Sequence, residues 1–337
     1  MAQDDEDIYR FDKQNYRKKL QLAPQQIRQG YNQDLSFVDD YAALSTTTRV
    51  VMCGMGGSAI PSKILTNYLD DCDITVVQDY DFPFSLRGED LVIINSYSGN
   101  TEEAVSCYRK ARRQNANVVV VTTGGRLGKS IKKSRVPHVE LPSGYPPRAA
   151  LYTTFFTLLK LLETVNLTRS HVTEVELLED YLQTHNLEDH GKKLAEKTVQ
   201  KLPVVYTSQK YEPVAYRWRT QFNENAKTMC IHHTLPEANH NEILGYRGLE
   251  ADTHTFLITM DDDHQRVKKR FTLTKKSIRK QGQTASEIRF KGKMLVKMFS
   301  AINLGDWTSY YAALQRSVDP SNIEEIESFK ESMGKFV

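Results

Sequence analysis

The sequence predicts an α/β protein in which parallel strands are covered by helices on both faces, with the arrangement repeated once along the chain. Three observations carry this. Short apolar runs, Val50-Val51-Met52-Cys53, Leu91-Val92-Ile93-Ile94 and Val118 to Thr122, alternate with helix-period segments, the pattern of strands buried on both sides. A second series of the same kind begins at Val204, about 150 residues after the first, so the unit is duplicated. Only the first series has glycine- and hydroxyl-rich turns between its strands and helices.

Size and charge narrow the classes. A chain of 337 residues with 39% hydrophobic and 26% charged content predicts two ordinary domains with ample core. A net charge of +3 implies neither a nucleic-acid nor a membrane partner. The densest basic run, Lys268 to Lys280, reads as a solvated helix face. No stretch reaches 18 apolar residues, and the acidic opening Met1-Ala2-Gln3-Asp4-Asp5 is unlike a signal peptide. Cys53, Cys72, Cys107 and Cys230 have no paired spacing and read as reduced thiols in the cytoplasm.

In order, residues 1–45 read as a polar helical arm, with Tyr31 to Ala43 apolar enough to pack on a neighbour. Residues 46–165 form the first domain, with strands at 50–53, 74–77, 91–94 and 118–122. Pro61 fits only a first helical turn, which starts the helix of residues 59–69 near Ser58; further helices fall at 101–114, 128–133 and 151–165. Residues 166–200 read as a helical connector over the surface, and residues 201–337 as the second domain, with strands at 204–206, 228–232, 255–260 and 285–289. Its helices are expected at 213–226, 264–276 and 293–314, followed by a C-terminal helix opened by the capping box Ser321-Asn322-Ile323-Glu324.

The chemistry centres on Asn95-Ser96-Tyr97-Ser98-Gly99-Asn100-Thr101-Glu102-Glu103. A strand leads in and a helix leads out, so unpaired N–H groups and three hydroxyls meet at one turn, where an anion fits. The competing reading is a capped helix start, with Asn100 as N-cap and Glu103 closing a capping box. Gly54-Met55-Gly56-Gly57-Ser58 follows another strand and faces the same crevice of a parallel sheet. With Ala59 at the third glycine place and no Walker lysine, a small phosphorylated ligand fits better than a dinucleotide. Pro146-Pro147 fixes Arg148, which suits either an anion or a structural carboxylate. Glu224 lies near a helix C-terminus, where the negative end of the helix dipole favours proton uptake. His232, His233, Glu237, His240 and Glu242 invite a metal reading, but adjacent histidines of a strand point to opposite faces.

These residues carry a resemblance. Gly54 to Ile60, Ser96 to Glu103 and Pro146-Pro147-Arg148, with Asn223-Glu224-Asn225, Asn239-His240-Asn241-Glu242 and Gly305-Asp306-Trp307, are similar to motifs of the bifunctional phosphoglucose/phosphomannose isomerases of the phosphoglucose isomerase superfamily. The resemblance covers nearly all the chain beyond the first ~40 residues. It implies two sugar-isomerase (SIS) domains, each a parallel sheet in a three-layer αβα sandwich, with the site at their junction. It further implies that Gly56, Gly57, Ser58, Ser96, Ser98 and Thr101 hold a 6-phosphate and that Glu224 moves a proton between C1 and C2. His240 from the other subunit of a homodimer would help open the sugar ring. Arg148 would stabilise a cis-enediolate, and Lys330, bordering the stripe Ile323, Ile326 and Phe329, would assist ring opening. Hexose 6-phosphates are the implied substrates, in glycolysis and gluconeogenesis, with no metal or other cofactor. Gln78 departs from the arginine common there in the family.

Overall fold

The computed structural model describes residues 8–41, 44, 47, 49–134 and 136–336, which form two compact units. The first unit holds Leu22–Val172 and Phe336, and the second holds the chain up to Gln21 together with Thr173–Lys335. The acidic opening and Ala43 lie outside the described residues.

The arm expected over residues 1–45 is divided between the units. α1 (Tyr16–Gln21) belongs to the second, where buried Tyr16 stacks on Tyr310. α2 (Ala23–Tyr31) belongs to the first, where Gly30 lies so close to the Thr153 carbonyl that a side chain there would collide with it.

The first unit continues with β1 (Arg49–Cys53), α3 (Ile60–Tyr68), β2 (Ile74–Val77), β3 (Asp90–Asn95), α4 (Glu102–Arg113), β4 (Asn117–Thr122), α5 (Gly125–Ser134), β5 (His138–Glu140) and α6 (Leu151–Thr164). Its five strands are parallel in the order β2-β1-β3-β4-β5, with Val51 opposite Val92 and Ile93 opposite Val119. Leu91, Val92, Ile93 and Ile94 are completely buried; covered on both faces, β3 reads as an unbroken apolar run. Each such side chain contributes on the order of 1.5–3 kcal/mol of transfer free energy. β5 is absent from the sequence reading because only Val139 of its three residues is buried.

The second unit contains α7 (Val172–Thr184), α8 (Leu187–Ala195), β6 (Leu202–Ser208), α9 (Glu212–Ala226), β7 (Ile231–Leu235), β8 (Thr253–Met260), α10 (Gln265–Lys280), β9 (Thr284–Phe290), α11 (Met294–Gln315) and α12 (Glu324–Ser332). Its four parallel strands run β7-β6-β8-β9, which repeats the first four positions of the other sheet. α11 is buried on every side from Leu295 to Leu314. Gly305 admits the Trp218 indole of α9, whose N–H donates to the Ala301 carbonyl at 2.8 Å. Arg217 and Asp306 form a buried ion pair at 2.9 Å between the same two helices.

Three expectations are corrected here. Within residues 166–200, read as a surface connector, α8 does not lie on the surface, because its Gly191 packs against Trp307 and Leu194 and Ala195 are buried. The strand expected at residues 228–232 begins at Ile231, since the Cys230 N–H donates to Asn223 Oδ1 at 3.1 Å in a turn. α12 starts with Ile323 at its N-cap and no capping side chain; Asn322 Oδ1 accepts from the Glu324 N–H instead of Ser321 closing a box.

Candidate active site

In the first unit, the sheet order reverses between β1 and β3, the switch point where open α/β sheets bind ligands. Both conspicuous turns leave the sheet there. After β1, Gly54 passes so near the Asn95 and Ser58 carbonyls that a Cβ would lie 2.9 Å from each. Gly56 has φ +49°, and Gly57 lies against the Arg148 backbone, 3.1 Å from where its Cβ would stand. Arg148 is 2% exposed and sits in the short turn Pro147–Ala150. The Arg148 backbone and the glycine turn are therefore neighbours.

After β3, the capped-helix reading fails. α4 has Thr101 at its N-cap, and the Thr101 side chain makes no capping hydrogen bond among the described residues. Asn100 Oδ1 accepts instead from the Arg126 N–H at 3.0 Å, tying this loop to the one after β4. The same tie appears in the backbone, where Gly99, at φ +65°, leaves no room for a Cβ beside the Gly124 carbonyl. The helix start is thus held open from outside, with its N–H groups unclaimed by any capping side chain.

The hydroxyls divide by role. Ser96 is buried and donates to Thr101 Oγ1 at 3.2 Å, so it orients Thr101. Ser58 Oγ accepts from the Tyr97 N–H at 3.1 Å, which leaves its own proton to give. Ser98 is exposed, and its Oγ accepts from the Asn100 N–H at 3.2 Å. Ser58, Ser98 and Thr101, with the helix start, form a set of donors suited to a phosphoryl group. The loop Thr122-Thr123-Gly124-Gly125, which buttresses this set, carried no site expectation; the positive φ at Gly124 and Gly125 is the local sign of it.

In the second unit, Glu224 occupies the last turn of α9, half-buried between two anchored asparagines. Asn223 Oδ1 holds the Cys230 N–H, and Asn225 donates to Ser309 Oγ of α11 at 3.0 Å. Lys227, at φ +50°, closes the helix and donates to the Glu224 carbonyl at 2.7 Å. The dipole argument for Glu224 is thereby weakened, because an ammonium already meets the negative helix end. His240 is exposed at the end of the turn Glu237–His240. His232 faces Glu212 at 3.1 Å and His233 faces Glu242 at 3.8 Å. Among the described residues, no three groups of the metal-ligating kinds converge. Lys330 is exposed on α12, and Ile326 and Phe329 are exposed with it, so the inward-facing stripe expected for this helix is not formed within its unit.

Duplicated parallel sheets with a hydroxyl cradle at one switch point define an SIS-type protein of the phosphosugar isomerases. The profile described as the bacterial phospho-glucose isomerase C-terminal SIS domain matches residues 187–333. A bifunctional phosphoglucose/phosphomannose isomerase of Caldicellulosiruptor bescii is 33% identical over 329 residues, covering 93% of this chain and 97% of that one. Another of that description, from Thermoplasma volcanium, is 32% identical over 289 residues, covering 85% and 91%. Among solved structures, a hypothetical protein from Thermus thermophilus superposes with a TM-score of 0.80 at 14% identity, covering 97% and 93%. The chain belongs to the bifunctional phosphoglucose/phosphomannose isomerase family.

Proposed function

We propose that this chain interconverts glucose 6-phosphate with fructose 6-phosphate, and mannose 6-phosphate with fructose 6-phosphate. The observation that carries the reading is the start of α4, left without a capping side chain beside Ser98 and Thr101. The descriptions of the relatives support the choice of sugars.

In this reading Ser58, Ser98, Thr101 and the Gly56-Gly57 backbone hold the 6-phosphate, while Ser96 orients Thr101. His240 and Lys330 open the ring by moving a proton between O1 and the ring oxygen. The Glu224 carboxylate then takes the C2 proton, leaving a cis-enediolate, and returns it to C1 as the proton on O2 passes to O1 and C2 becomes the ketone. Arg148 offsets the charge that develops on the enediolate oxygens. No metal takes part. The working form is a homodimer in which His240 of the partner subunit completes each site. Four free cysteines suit a reducing cytoplasm.

Purified protein is assayed with each hexose 6-phosphate in deuterated water, with and without EDTA. Isomerisation with deuterium entering at C2, unaffected by chelation, is expected; no turnover of any hexose 6-phosphate defeats the reading. Loss on chelation that zinc restores would return the histidines to a metal role. To test the dimer, Glu224→Gln and His240→Ala chains are mixed under exchanging conditions. A shared site restores roughly a quarter of wild-type activity, since about half the dimers are mixed and half their sites are intact. No recovery, with exchange confirmed by mass spectrometry, refutes sharing.

A further inference from the structure

A second place for an anion lies wholly within the second unit, independent of the isomerase reading. The cavity there has a volume of about 400 Å³ and sits where β9 ends and α11 begins. The sequence between them is Arg289-Phe290-Lys291-Gly292-Lys293, three cations in five residues, with Gly292 at φ +106° making the turn. α11 is 22 residues long, has Lys293 at its N-cap without a capping side chain, and has no acid in its first turn. A long helix begun in this way presents a positive end that the protein compensates only in part.

A separate observation points to a guest. Ser300 lines the cavity, is 1% exposed, and its hydroxyl has no hydrogen-bond partner. A buried hydroxyl left unpaired is destabilising, and here it borders space large enough for a small molecule. The cavity wall adds Phe290 and Val296, which are apolar, and His190. Burial, and then the charges of Lys197 and Lys193, hold His190 below the usual histidine range. Some of that charge is met internally. Arg289 pairs with Glu287 at 2.8 Å, the Gly292 N–H donates to Asp261, and the Leu295 N–H reaches Glu174 at 3.5 Å. Lys291 forms no ion pair among the described residues.

We propose that this cavity binds a small phosphate monoester, with its phosphoryl group taking donors from Lys291, Arg289 and the Ser300 hydroxyl, and its organic part against Phe290 and Val296. It is a binding site distinct from the hydroxyl cradle, which belongs to the other sheet.

The test is calorimetric titration of the full-length chain carrying Ser98→Ala and Thr101→Ala, which weakens the cradle. The probes are inorganic phosphate and a three-carbon phosphate monoester. One site per chain is expected to remain, with the monoester bound more tightly than phosphate. Adding Ser300→Ala and Lys291→Ala should weaken it at least about tenfold, as loss of hydrogen bonds to a charged group does. Ser300→Ala alone should not lower the melting temperature, because no hydrogen bond within the protein is lost and an unpaired buried hydroxyl is removed. Saturation with phosphate should raise the His190 titration midpoint seen by NMR. No residual binding, or binding indifferent to Ser300 and Lys291, overturns the site; equal affinity for the two probes overturns the monoester assignment.

Discussion

The two sheets share their strand order, yet their switch points are chemically opposite. At β1/β3 the turns offer hydroxyls, glycines and a helix start without a capping side chain. At β6/β8 the turn after β8 is Asp261-Asp262-Asp263, and the protein supplies every donor itself. Lys210 reaches Asp262 at 2.8 Å, Tyr211 reaches it at 2.7 Å, and buried Lys297 bridges Asp262 and Asp261. Asp263 takes the Ser208 hydroxyl and the Met260 N–H. Burial works against ionisation of Asp262, but the hydrogen bonds from Lys210, Lys297 and Tyr211 prevail and hold it well below the usual carboxylate range. Topology places a crevice in both halves; turn chemistry decides whether a guest or the chain's own carboxylates fill it. The second half instead offers Glu224, which we propose as the proton carrier.

The largest expected effect tests that division of labour. Glu224→Gln should cut turnover by roughly 10²–10⁴, the usual contribution of a general base, while binding of the 6-phosphate persists. Deuterium exchange at C2 at the wild-type rate would remove Glu224 from the role. Gly99→Ala comes next, since it combines a positive φ with a collision against the Gly124 carbonyl. We expect about 3 kcal/mol of lost stability and loss of phosphate binding, checked by denaturant melts and calorimetry. An unperturbed protein would show that the two loops are not interlocked.

The halves should also differ in acid. His254 on β8 is buried between the Thr284 and Ser286 hydroxyls, at 2.9 and 2.8 Å, and burial, with Lys197, Lys201 and Arg279, brings it down to about 4. The neutral form is favoured in the fold, so stability is lost as pH falls from about 6.5 towards 4, by up to about 3 kcal/mol. Both tryptophans, Trp218 and Trp307, lie in this unit, so intrinsic fluorescence reports it selectively. His254→Asn should flatten the acid slope, and an unchanged slope would exclude this histidine as its source. The smallest effect is that of Ser98→Ala with Thr101→Ala, about 1–3 kcal/mol of phosphate affinity from lost hydrogen bonds to the charged group. Unchanged affinity by calorimetry would move the anion site away from β3.

Much of this contrast is legible in the sequence. The Val- and Ile-rich strands stand out because burial on both faces removes any polar alternation, and the hydroxyl turn and the Asp261 to Asp263 turn are visible as written. Tertiary contacts hide the rest. Nothing local to Gly191 announces that Trp307 packs on it, so a core helix reads as a surface connector. Asn100 has the composition of an N-cap, but its side chain accepts from the backbone of Arg126, a partner 26 residues away that spacing cannot reveal. Ser96 and Ser98 look alike in sequence, yet one is buried behind Thr101 and the other is exposed.

The open start of α4 also bears on how long the protein survives. Leaving those N–H groups without a capping side chain makes the empty chain easier to open locally, and under the proposed function a phosphorylated sugar filling them would stabilise the folded state by mass action, about 2.7 kcal/mol at a hundred times its dissociation constant. Where proteolysis acts on transiently opened molecules, the rate of degradation follows that population. The abundance of the protein would then rise with the supply of the sugar phosphates it binds, with no regulator other than the ligand itself.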